Sequence, residues 1–433
     1  MPPILPSRRD VLRVGTVAIT LGTGQVPLAA AGSSRKPARA VILLFMDGAP
    51  SHIDLFDLKP DAPEEVRGPF RSIPTSAPGV RVCEHLPLVA RQMHRVVQLR
   101  SVRHTDAIHD PAVYLTLTGR RHPTPLGGLR VSPDDAPHVG GLFSALSSGT
   151  GGSHPPLASQ WVELPETMKM EARTLPGQNG GFLGQSADPF RVEVTSAGEV
   201  VPPDFDLPAG VTAERLLLRG NLRDALDRKL AAAETGFDQT RQQAVELLAS
   251  AKLRDAFDLS NEPDRLRDRY GRHRHGQGVL LARRLVEAGC RFVTVYWGKE
   301  RQDWADGVKD CIANNPWDTH RNHFPLLKGS LLPRADQTLS ALLDDLTARG
   351  LLDEVLVVWM GEFGRTPLIT KPWASRDHWP QANTILLAGN GVAGGHVLGR
   401  TDSKAAEVTD FPISPADVVA TMLSALGANP RGE

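Results

Sequence analysis

Cysteine is scarce in this chain of 433 residues: there are 3, Cys83, Cys290 and Cys311, and no two stand at the short spacing of a thiolate metal site. That excludes a cysteine-clamped zinc module, and a chain of this length can bury a core without a disulfide scaffold. One pair could still close a disulfide in an oxidising compartment, leaving the third as a thiol. Net charge is missing too, because 49 Lys plus Arg balance 49 Asp plus Glu. No global positive field gathers phosphates, so the charge balance gives no case for nucleic acid as a partner. Internal repeats and coiled-coil heptads are also absent from the sequence.

A stable membrane span is lacking as well. The apolar stretch Val14 to Leu28 is broken by Gly15, Gly22, Gly24 and Pro27, too short and too weak to cross a bilayer. What precedes and follows it gives it another meaning. Arg8 and Arg9 stand before it, and Ala29, Ala30 and Ala31 supply small residues for a signal peptidase. This layout reads as a twin-arginine signal over residues 1–32, with the mature domain at 33–433 and a periplasmic or secreted destination. The twin-arginine export machinery is then a partner, and its cargo travels already folded.

The whole sequence is 41% apolar and 23% charged, as in ordinary globular proteins. Four apolar, β-rich runs stand out: ARAVILLF ending at Phe45, RFVTVYW at 291–297, EVLVVWM at 354–360 and NTILLAG at 383–389. Runs without polar alternation fit strands buried on both faces of a parallel sheet. Between and after them, residues 277–289 and 336–350 and the segment from Ser414 to Gly427 carry helical patterns that close on glycine. Alternating strands and helices predict an α/β fold with a doubly wound, mostly parallel sheet. Residues 120–270, first rich in Gly, Pro and Ser and then charged and helical, read as an insertion capping the carboxyl edge of that sheet.

In open α/β sheets, ligands bind beyond the carboxyl ends of the strands. The first run exits into Asp47, Ser51, His52 and Asp54, and the second leads to WDTHRNHF with Asp318, His320 and His323. The third exits into GEFGRTP, with Glu362 and Arg365, and then SRDHWP, with Arg376, Asp377 and His378. Carboxylates and imidazoles gathered at one edge suit one or two divalent ions: zinc, manganese, magnesium or calcium. Thr105 and His109 are four residues apart and share a face if a helix starts there. A hydroxyl at a helix N-terminus sits in a field that favours its alkoxide and an anion. Arg365 or Arg376 could clamp the oxygens of that anion.

The segments DGAPSHIDLFDLKPDAP, HTDAIHDPAVYLTLTGR, WDTH, GEFGRTP and DHWP, in this order, resemble the exported, sulfatase-like family named domain of unknown function 1501, within the alkaline phosphatase superfamily. The resemblance runs from about Ala40 to Gly427. It implies hydrolysis of phosphate or sulfate esters on an anionic small molecule or glycan. It further implies Thr105 as nucleophile, and Asp47, Asp318, His320 or His323, Glu362 and His378 as metal ligands. The superfamily usually has Asp-His or Asp-Asn where this chain has Glu362-Phe363. That departure supports an alternative, a non-catalytic member that binds an anionic glycan or another exported protein.

Overall fold

The computed structural model describes residues 36–148, 161–170, 172–202, 218, 250–298, 316–372 and 374–429. The signal-like residues 1–32, Cys311 and most of 203–249 lie outside them. Ala40–Phe45 forms β1, buried at every position. Its pleat divides the apolar run between two cores: Ala40, Ile42 and Leu44 face one, and Val41, Leu43 and Phe45 face the other. A strand with apolar side chains on both faces is stable only with helices on both sides, and that is the architecture found.

The other strands of the main sheet are β2 (Val96–Val102), β3 (Trp161–Leu164), β4 (Phe190–Arg191), β5 (Phe292–Tyr296), β6 (Val355–Met360), β7 (Asn383–Gly389) and β8 (His396–Leu398). Their order across the sheet is β8-β2-β7-β6-β1-β5-β3-β4. The strand β1 runs parallel to both β5 and β6, with Val41 opposite Phe292 and Leu356. Helices α1 (His109–Thr118), α2 (Val139–Ser148) and α5 (Pro415–Ala425) pack on one face through residues such as Val113, Phe143 and Met422. Helices α3 (Arg274–Ala288) and α4 (Leu332–Ala348) cover the other through Leu281, Leu285, Leu339 and Leu342. The α3 helix stops where Gly289 turns left-handed at φ 116°, and α5 starts at a Ser414–Asp417 capping box. Among the described residues no helix is long and apolar enough to cross a membrane.

Two expectations change. The four apolar runs are adjacent strands, but they do not all end at one edge, because β7 is antiparallel to both β6 and β2. The described residues of 361–382 contain no helical crossover; they turn at the carboxyl edge and lead straight back into the sheet. A parallel strand would need a crossover along one face. Thus β7 begins, rather than ends, at the site edge. Parts of the 120–270 stretch belong to the sheet domain itself: α2 lies in the core, and β3 and β4 extend the sheet beside β5. Cys83 is buried, and desolvation pushes its thiol up to about 12, an unreactive state.

Candidate metal centre

Three segments meet at the carboxyl edge. The loop after β2 leads to His109, the first residue of α1. The chain after β5 brings Trp317–His320 ahead of a short helix, His323–Leu326. Residues 361–382 form the third, held by a small antiparallel pair in which Arg365 stands opposite His378. Opposed residues of such a pair share a face, so both reach Asp318.

His109, Asp318, His320 and His378 each offer one ligand atom within 4.8 Å of all the others. Asp318 Oδ1 is the hub. It lies 2.9 Å from His320 Nε2, 3.2 Å from His378 Nε2 and 3.3 Å from His109 Nε2. The Nε2 atoms of His320 and His378 are 2.8 Å apart.

The far nitrogen of each ring settles what its near nitrogen can do. His109 Nδ1 is 2.6 Å from Glu362 Oε1, His320 Nδ1 is 3.0 Å from Asp377 Oδ1, and His378 Nδ1 is 2.8 Å from the Ala107 carbonyl. Carboxylates and carbonyls only accept, so each neutral ring carries its proton on Nδ1 and presents a lone pair at Nε2. Three lone pairs then converge on a carboxylate oxygen. Four acceptors this close repel unless a cation stands among them, either a proton on a ring or a metal ion. The contact from His109 Nε2 to Asp318 lacks hydrogen-bond geometry, and Glu362 Oε2 is buried without a partner. A tetrahedral ion with bonds of 2.0–2.1 Å spaces its ligand atoms about 3.3 Å apart, close to the spacing around Asp318. The residues present fit a divalent ion.

Electrostatics agree. Burial alone would lower the pKa of His109, but the carboxylates of Asp318 and Glu362 on either side of the ring hold it up at about 10. In the metal-free chain a proton therefore fills part of the cation's role. Burial opposes ionisation of Asp318, yet the Arg365 guanidinium holds its carboxyl far below the usual range. Asp47 is the reverse: desolvation, then Glu362, push it well above the carboxylate range.

The other candidates take different places. Asp47 is buried outside the four-atom group, its carbonyl bonded to the Trp317 amide at 3.2 Å. Glu362 lies outside the four-atom group, and its Oε1 accepts from His109 Nδ1 and from the Gly48 amide at 3.1 Å. His323 is not in the group either. Its Nε2 meets Asp54 at 2.9 Å and its Nδ1 meets the Thr319 hydroxyl at 2.6 Å, in the protein interior. Arg376 makes a bidentate pair with Asp54 at 2.7 and 2.8 Å. Arg365 is fully buried and gives its donors to Asp318 and the carbonyls of Gly48, Ala49, Trp317 and Arg376. Neither arginine has a face for substrate; both fix loops. Thr105 is exposed in a bend four residues before α1, so it does not share the helix face of His109, and its hydroxyl accepts from Arg121.

This chain belongs to the DUF1501 family, described as "Protein of unknown function", which matches residues 38–433. No curated protein matches it. Among solved structures, the PsFucS1 sulfatase from Pseudoalteromonas sp. is similar at 12% identity and TM-score 0.38, covering 91% of this chain and 68% of that one. The periplasmic domain of EcEptC from Escherichia coli, in complex with Zn, gives 9% and 0.36, covering 90% and 83%. A TAB5 alkaline phosphatase mutant with Mg bound gives 11% and 0.38, covering 91% and 99%. At these TM-scores the likenesses carry no part of the functional reading.

Within this DUF1501 member, the residues that orient the ligands were the hardest to foresee. Asp377 was visible in SRDHWP, but its bond to His320 needs the turn that brings residues 318–320 beside 377. The Ala107 carbonyl has no sequence signal. His104 Nδ1 accepts from the Asp106 amide at 3.2 Å while Nε2 donates to the Glu362 carbonyl at 2.7 Å.

Proposed function

We propose that this chain is an exported, metal-dependent hydrolase of phosphate or sulfate esters. The observation that carries the reading is the convergence of three imidazole lone pairs on Asp318. A set of three nitrogens and one oxygen suits zinc better than magnesium or calcium, which take oxygen-rich shells. Such an ion would supply Lewis acidity toward an ester oxygen. His109, Asp318, His320 and His378 would hold it, with Glu362, Asp377 and the Ala107 carbonyl aiming the rings and Arg365 anchoring the carboxylate. Thr105 is the nucleophile in this reading. Arg121 donates to its oxygen and so favours the alkoxide. Attack by the Thr105 oxygen on phosphorus or sulfur would break the bond to the leaving alcohol, which takes up the hydroxyl's proton, and form a Thr105 ester; water would then cleave that ester, restoring the hydroxyl and releasing phosphate or sulfate.

One observation favours the rival, a binding protein for an anionic glycan or another exported protein: the residue next to Glu362 is the buried Phe363, which offers no ligand atom. The zinc-loaded protein should hydrolyse aryl phosphates or aryl sulfates, and Thr105→Ala should lose that activity with its zinc intact. Full zinc loading with no turnover in either protein selects the rival. Export rests on Arg8 and Arg9. Replacing both with lysine should hold the precursor in the cytoplasm, and periplasmic delivery at normal yield would refute the twin-arginine route.

A further inference from the structure

An enzyme for anionic esters must recognise charged oxygens beside its metal, and the arginines foreseen for that task are sealed in the interior. Arg121 is different. Its side chain is 61% exposed, and it touches the Thr105 hydroxyl. Asp106 holds the guanidinium from one side only, with Nε 3.3 Å from Oδ2 and NH2 3.0 Å from Oδ1. That leaves NH1 without a hydrogen-bond partner among the described residues. Asp106 itself is buried, so the guanidinium is set in direction before any ligand arrives.

The loop beneath is fastened to the metal centre at three points and braced by one bond of its own. His104 donates to the Glu362 carbonyl, the Asp106 amide donates to His104, the Ala107 carbonyl accepts from His378, and His109 donates to Glu362. Thr105 and Arg121 therefore keep a constant relation to the ligands. Resting on the hydrolase reading, we infer that Arg121 and the Thr105 hydroxyl form the subsite for a tetrahedral oxyanion, and that Asp106 is the positioning residue that aims Arg121 and tempers its charge. With Nε and NH2 engaged by Asp106 and Thr105, NH1 supplies the donors to a phosphate or sulfate oxygen, held in a fixed plane as an ammonium is not.

The test is binding of inorganic phosphate, and in parallel inorganic sulfate, to the zinc-loaded full chain by calorimetry, with zinc content measured on every sample. Arg121→Ala should weaken phosphate at least tenfold with zinc unchanged, and Arg121→Lys should recover part of the loss. Arg103→Ala, which removes an equal charge from the same loop, should change affinity less than twofold. Asp106→Asn should tighten phosphate, because the guanidinium is no longer half-neutralised; a purely structural Arg121–Asp106 pair predicts no gain. Unchanged affinity in Arg121→Ala, or equal losses in Arg121→Ala and Arg103→Ala, overturns the subsite. A wild-type protein that holds zinc yet binds neither anion also overturns it and leaves the metal centre standing. A wild-type protein that holds no zinc overturns the hydrolase reading, and the subsite with it.

Discussion

Two carboxylates near the same sheet edge, Asp54 and Asp318, each face an arginine and at least one imidazole, yet they are chemically unlike. Asp54 receives two bonds from Arg376, one from His323 Nε2 and one from Ser51 at 2.5 Å. The far nitrogen of His323 faces the Thr319 hydroxyl, which can donate. His323 is thus free to carry its proton on Nε2 and give it to Asp54. Burial, first of all, keeps that ring neutral, and the cluster closes on itself. Asp318 also has an arginine, but its three imidazoles face acceptors on their far sides. They bring lone pairs instead of protons. The difference between a structural charge cluster and a metal site lies in the group beyond the ring, not in the ring.

The sharpest way to break this contrast is to remove each hub. Asp318→Asn should abolish zinc binding and with it the zinc-dependent rise in Tm, which mass action makes proportional to the logarithm of zinc concentration. Retained stoichiometric zinc in that variant would mean that the ligands lie elsewhere. Asp54→Ala should do the opposite: it strands the Arg376 charge and costs about 3–5 kcal/mol, read by denaturant unfolding, with zinc stoichiometry unchanged. The pH dependence has a definite sign. Burial opposes ionisation of Asp54, but Arg376 and His323 hold its pKa far below the usual value. Its contribution is therefore complete above an unfolded pKa of about 4 and lost as pH falls through the folded value. The Asp54 variant should show a shallower acid-side fall in stability than the wild type, and an identical slope would remove Asp54 from the account.

Glu362 tests the role of the far partner. Glu362→Gln keeps an acceptor for His109 but removes its charge, and zinc affinity should fall roughly 10–100-fold, the usual cost of losing such a partner. An unchanged Kd would show that Glu362 does not tune His109, and total loss of binding would make it a ligand after all. The smallest effect belongs to Thr105→Ala. The site is exposed, so stability should shift by less than about 0.5 kcal/mol and zinc should stay bound.

Much of this was legible in the sequence, for identifiable reasons. Unbroken apolar runs at 40–45, 292–296 and 355–360 can only be strands buried on both faces, and strand exits then point to Asp318 and His378. Strand direction was not legible, because β7 has the same apolar composition as its parallel neighbours and the difference lies in the return path through 361–382. The choice between His320 and His323 was equally hidden. Both sit in a loop where no periodicity applies, and a left-handed turn at Asn322, φ 53°, helps send them to different clusters. Arg365 and Arg376 looked like anion clamps because nothing in a sequence shows that a cation is enclosed by carbonyl groups.

The most direct test of the central claim is zinc titration of the purified mature chain by calorimetry, with elemental analysis of the same sample. The account predicts one ion per chain in the wild type, held by His109, Asp318, His320 and His378, and none in Asp318→Asn. A wild-type chain that binds no divalent ion, with a Tm unmoved by zinc, would contradict it.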